Sequence, residues 1–199
     1  MRRSIRQYGD PVLRAKGQRI HVVDQRVREL AADMLETMHA AHGVGLAAHQ
    51  VGEALQLTVI DVAEVEDRPS TLKINGVPTD VPGAMPLILL NPEVILGAEI
   101  ITGVEGCLSF PEISADIERS ESVVVRAETM ESAPLEIEAT GLLARALQHE
   151  VDHLNGILFI DRMSSALKVS LAGKLKRLQK ETQSGEGTGR VSRAGQSAL

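Results

Sequence analysis

Apolar residues first recur at helical spacing between residues 24 and 41. Val27, Leu30, Ala31, Met34, Leu35 and Met38 fall on one face, which predicts a helix with that face buried. Asp24 stands where an N-cap carboxylate would accept a backbone N–H, and Gly43-Val44-Gly45 ends the run. The pattern then shortens. Residues 56–61, 87–96 and 99–108 read as strands, the last two joined by a turn at Gly97. Residues 122–128 and 135–139 read as a further strand pair across a polar turn containing Pro134. Helical spacing returns over 141–154, closed by Asn155-Gly156, and over 164–180, where Leu167, Leu171, Leu175 and Leu178 form a stripe. Residues 1–20 read as irregular, with a turn at Gly9-Asp10-Pro11, and 66–86, with four of the eight prolines, as a long loop. Strands in the middle and helices at both ends predict a single α+β domain over 1–182, followed by a disordered tail over 183–199.

Composition narrows this picture. Tyr8, Phe110 and Phe159 are the only aromatic residues besides histidine, so the core is aliphatic. The net charge of −6 argues against a nucleic-acid binder driven by bulk charge. Cys107 is the only cysteine, which excludes an intramolecular disulfide and fits a reducing compartment. The basic N-terminus is not followed by the apolar stretch of a secretory signal. No apolar run approaches the ~20 residues of a membrane span. These features together predict a cytoplasmic protein with no membrane segment.

The candidate chemistry centres on His149-Glu150-Val151-Asp152-His153. Residues i and i+4 share a helix face, so His149 and His153 can converge on one divalent ion. Glu150 then stands beside it, placed to take a proton from water. A third ligand is needed. One class of zinc protease has a histidine where this chain has Phe159, which cannot bind a metal. Glu181 and Glu186 lie beside or within the expected tail. Cys107, at the end of a predicted strand, offers a thiolate, against the plain alternative of a small buried hydrophobe. The glycines at 43 and 45 permit close approach of neighbouring groups, and Gln50 carries an amide able to donate to a developing oxyanion.

Three ordered motifs, GVGLAAHQ at 43–50, EGCLS at 105–109 and HEVDH at 149–153, together with the opening YGDPVLR at 8–14, resemble the peptide deformylase family over residues 4–180. The resemblance implies antiparallel β-sheets packed around a central helix that carries HEVDH, with a C-terminal helix. It implies removal of the formyl group from the N-terminal formylmethionine of newly made proteins, releasing formate. It implies Cys107, His149 and His153 as ligands of one divalent ion, Fe²⁺ first, with Zn²⁺, Ni²⁺ or Co²⁺ able to take its place. Glu150 is implied as general base and acid, with the Gln50 side chain and the Leu108 backbone N–H holding the oxyanion. The peptide would pair with Val44, Gly45 and Gly106 as an added strand, its methionine entering a pocket near Val44, Glu105, Leu142, Arg145 and Ala146.

Arg145 is expected either along the rim with its stem packed or facing solvent, and is not assigned to the site. Asp152 is expected to turn away from the metal into an ion pair, and His49 to lie on the rim. His21, His39 and His42 read as surface or capping residues. Lys168, Lys174, Lys176, Arg177 and Lys180 on the last helix read as a solvated face, or as a weak ribosome-docking surface. Two other readings compete: a zinc peptidase, and a ribosome-associated binding protein with an inactive metal site.

Overall fold

The computed structural model describes residues 1–185. Helix α1 spans Gln25–Ala40, and the Asp24 side chain accepts from the Val27 N–H. Strands β1 (Gly45–Ala47) and β2 (Leu57–Ile60) follow, then β3 (Ser70–Ile74), β4 (Val77–Pro78) and the single turn α2 (Val81–Ala84). Strands β5 (Leu87–Leu96), β6 (Ile100–Gly106), β7 (Ser114–Ser120), β8 (Ser122–Glu128) and β9 (Pro134–Thr140) come next. Helices α3 (Gly141–Leu154) and α4 (Ser165–Gln183) close the chain.

Seven strands form one antiparallel sheet in the order β1-β2-β5-β8-β9-β3-β4, and β6 and β7 form a separate hairpin. Along β8 and β9, Val123, Val125, Ala127, Ile137 and Ala139 point inward, as the two-residue period of a strand requires. They pack on Leu142, Leu143, Ala146 and Leu147 of α3. Helix α1 covers β1 and β2 on its own apolar face. A third cluster joins Phe110, Ile117 and Phe159 to the leucine stripe of α4.

Every residue of 142–154 is buried. A helix enclosed on all sides must satisfy its polar side chains within the protein. Gln148 does so by bonding both the N–H and the carbonyl of Ser120, at 3.0 and 2.8 Å. The helix start is capped from outside, with Ser70 Oγ accepting from the Leu143 N–H at 2.9 Å.

Three expectations are corrected. The 66–86 segment is not a loop: it contains β3, β4 and α2, and β3 pairs with β9. Only Leu72 of β3 is fully buried, so the strand leaves almost no apolar signal. The strands around Gly97 are not a hairpin, because β5 pairs with β2 and β8 while β6 pairs with β7. Strand β7, SADIERS, is missed by its polarity, since its inward positions are Ala115, Ile117 and a buried Arg119. Helix α4 continues to Gln183, past the expected end at residue 180. Residues 186–199 of the expected tail lie outside the described residues. No helix among the described residues is long and apolar enough to cross a membrane.

Candidate active site

Helix α3 carries His149 and His153 on one face, their ring centroids 4.9 Å apart. Strand β6 ends at Gly106, and the turn that follows delivers Cys107 to the same place. The ligand atoms of Cys107, His149 and His153 all lie within 4.8 Å of one another, with Cys107 Sγ 3.2 Å from His153 Nε2. A tetrahedral ion held by thiolate and imidazole spaces its donors about 3.3–3.6 Å apart. His149 Nδ1 is 3.0 Å from Glu105 Oε2, while the buried His149 Nε2 has no hydrogen-bond partner. A ring nitrogen anchored on a carboxylate, with the other left open, is the arrangement of a metal-ligating histidine. The donor set therefore fits one divalent cation.

Burial works against protonation of His149, but Cys107 and Glu105 outweigh it and raise its pKa to about 10. His153, buried and beside His149, is held well below the usual histidine range and stays a neutral donor. Glu105 sits well below the usual carboxylate range: burial pushes it up, but His149 and Arg119 outweigh that.

Burial pushes Glu150 up to about 7, and neither of its carboxylate oxygens has a hydrogen-bond partner. The second glycine of GVGLAAHQ explains how the carboxylate fits. A Cβ on Gly45 would stand 2.3 Å from Glu150 Oε1. The first glycine leaves room for Leu108, whose Cδ1 would be 2.7 Å from a Cβ on Gly43. Gln50 is fixed in orientation: its Oε1 accepts from the Ala47 N–H at 2.8 Å, which turns Nε2 toward Cys107 Sγ at 3.5 Å and Ser109 Oγ at 3.3 Å. The Leu108 amide donates to no protein acceptor among the described residues.

Val44, Leu142 and Ala146 meet in one apolar cluster beside this centre. Gly45 lies on β1, an edge strand of the large sheet, and Gly106 ends β6, which pairs only with β7. Glu105, expected near the methionine pocket, has its carboxylate directed inward. It is fully buried, and its carboxylate is taken up by Arg119, Arg145 and His149. Arg145 is neither on the rim nor facing solvent, being only 3% exposed. His49 is buried rather than on a rim, with burial lowering its pKa. Asp152 does turn into ion pairs, with Arg119 and Arg162. Arg119 was not foreseen at all; the alternation Ala115, Ile117, Arg119 was the one signal that it faces inward.

A buried helix carrying two histidine donors, with a thiol from a strand end and an unpartnered carboxylate, makes a site of the metalloenzyme class that could hold a metal ion. Comparison with known proteins makes this particular. Residues 2–169 match the polypeptide deformylase family model. A peptide deformylase of Opitutus terrae is 42% identical over 178 residues, 88% of this chain and 92% of its own. The crystal structure of peptide deformylase 1B from Arabidopsis thaliana with an inhibitor superposes with a TM-score of 0.79 at 34% identity, covering 96% of this chain and 98% of that one. The enzyme of Thermus thermophilus gives 0.76 at 35% identity, over 91% and 99%. The chain belongs to the peptide deformylase family, enzymes that remove N-formyl groups from nascent peptides.

Proposed function

We propose that Cys107, His149 and His153 hold one divalent ion, Fe²⁺ in the cell with Zn²⁺, Ni²⁺ or Co²⁺ as substitutes, and that the surrounding residues hydrolyse the formyl group of formylmethionyl peptides there. When bound, the ion supplies Lewis acidity and lowers the pKa of a water molecule toward neutrality. Glu150 takes the proton from the attacking water on its open carboxylate and returns it to the departing amine. The Gln50 Nε2 amide and the Leu108 N–H hold the charge that develops on the formyl oxygen. One such donor is typically worth about 2.7–4 kcal/mol of barrier.

The peptide main chain pairs with Val44 and Gly45 on the β1 edge and with Gly106 on β6. The methionine side chain enters between Val44, Leu142 and Ala146, with Glu105 behind them fixing His149 rather than touching substrate. The unpaired cysteine and the substrate class support action in the cytoplasm. The exposed lysines of α4 support transient docking on the ribosome.

The observation that carries this reading is the unpartnered, buried Glu150 carboxylate beside an open His149 Nε2. Replacing Glu150 with alanine tests it. The variant is expected to keep its ion while formate release falls at least about 10²-fold, the lower end of what a general base contributes. Near-normal turnover would remove Glu150 from the reaction.

A further inference from the structure

Arg119 alone already grips Glu105 with two bonds, Nε to Oε1 at 2.8 Å and Nη2 to Oε2 at 3.0 Å. A second guanidinium is nevertheless buried on the same carboxylate, with Arg145 Nη1 donating to Glu105 Oε1 at 2.8 Å. The other donor contacts of Arg145 are its own. Nη1 also reaches the carbonyls of Ile117 at 3.0 Å and Gly103 at 3.4 Å, and Nη2 reaches the carbonyl of Ile101 at 3.1 Å. These carbonyls lie on both strands of the β6–β7 hairpin. Arg145 itself stands on α3, one turn before His149.

The hairpin is shaped to receive it. A Cβ on Gly103 would lie 3.0 Å from Arg145 Nη2, a tight contact that glycine spares the guanidinium lying against β6. A planar, permanently charged fork of five donors suits such a brace, whereas a lysine offers a single point of charge. The same strand ends in Glu105 and Gly106, the anchor of one ligand and the proposed substrate edge, and runs directly into Cys107, another ligand.

We propose that Arg145 is a positioning residue, holding the substrate-bearing β6–β7 hairpin and the His149 ligand in one register through their shared contact with Glu105. The inference rests on the metal reading above and extends it to a residue that touches neither the ion nor the substrate. Without Arg145, Glu105 keeps Arg119 and its contact with His149 but loses one of its two ties to α3, and the carbonyls of Ile101, Gly103 and Ile117 lose a buried donor.

The test uses the full chain loaded with cobalt, comparing wild type, Arg145→Leu and Arg145→Lys. Two quantities are read: the rate at which a chelator strips the cobalt, and kcat and KM for formyl-Met-Ala-Ser. Loss of a group that orients a ligand typically costs about 10–100-fold in metal affinity or activity. Arg145→Leu is expected to lose cobalt about 10-fold faster or more, with KM raised. Arg145→Lys is expected to recover most of the metal retention through Glu105 but to keep the raised KM, because one ammonium cannot reach three carbonyls. If Arg145→Leu does not fold, Arg145→Lys and Gly103→Ala, which crowds the guanidinium against β6, read the same two quantities. A lowered melting temperature with cobalt loss and KM both at wild-type values would overturn the proposal. A wild-type chain that takes up no cobalt would overturn the metal reading itself, and this inference with it.

Discussion

At Gly45 the room around the Glu150 carboxylate is a matter of one carbon atom. A methyl group there would sit 2.3 Å from Glu150 Oε1, so one of the two must move. A displacement of about 1 Å can cost about 10²-fold in rate. Gly45→Ala is therefore expected to lower kcat by that order while metal content stays near wild type, as formate release and metal analysis on one sample would show. Arg119 is the second residue whose loss should be severe. It pairs with both Glu105 and Asp152 in the interior, and breaking a buried ion pair from one side costs about 3–5 kcal/mol. Arg119→Met should lower stability by that amount in urea unfolding; a loss below about 1 kcal/mol would show that Arg145 and Arg162 suffice. The sequence displayed His149, Glu150 and His153 because helical spacing alone brings them together. It did not display the partners of Glu105, which converge from β7 and α3, nor the burial of Arg145, which depends on both strands of a hairpin.

Among the elements, those with a dense apolar period were legible. Helices α1, α3 and α4 and strands β2, β5, β8 and β9 lie close to where the hydrophobic pattern places them. Strands β3 and β7 were not, because each buries few apolar side chains and is defined by pairing with a distant segment. Two 3₁₀ turns far apart in the chain are joined by an ion pair of the same long-range kind. Arg14, in the 3₁₀ turn Pro11–Arg14, bonds Asp161, in the 3₁₀ turn Phe159–Arg162. Partial burial pushes the Asp161 carboxyl up, but Arg14 and the Leu158 N–H pull it down further, for a net lowering. A carboxyl lowered in the folded state contributes stability above its unfolded pKa and loses it as pH falls through the folded value. Both side chains are about 40% exposed, so solvent limits the contribution to about 1 kcal/mol or less. Asp161→Asn should melt a few °C below wild type at pH 7, and the gap should close in acid. A gap unchanged down to about pH 2 would contradict the assignment.

Over the whole molecule, the sequence specified an aliphatic α+β domain around a motif-bearing helix, and the structure has that form. The division into a seven-stranded sheet and a separate hairpin was not legible, since which strands pair depends on contacts far apart in the chain. By that division β1 stands at one edge of the large sheet while β6 belongs to the separate hairpin, and the proposed peptide would pair on these two strands. Charge is also distributed unevenly at this scale. The chain carries −6 overall, yet Lys168, Lys174, Lys176, Arg177 and Lys180 are all exposed on α4. Docking through this helix predicts ribosome association that weakens with salt and disappears when residues 164–199 are deleted. Association unaffected by that deletion would leave α4 as a solvated cover over the Phe110 cluster.

The central claim is that the Cys107, His149 and His153 centre removes formyl groups. The most direct measurement is formate release from formyl-Met-Ala-Ser by protein purified without oxygen, with bound metals quantified in the same sample and unformylated Met-Ala-Ser as control. The account predicts about one divalent ion per chain, as a single three-ligand site requires, with formate released and the unformylated peptide left intact. A chain carrying its full complement of metal that releases no formate, or that cleaves the unformylated peptide, would contradict it.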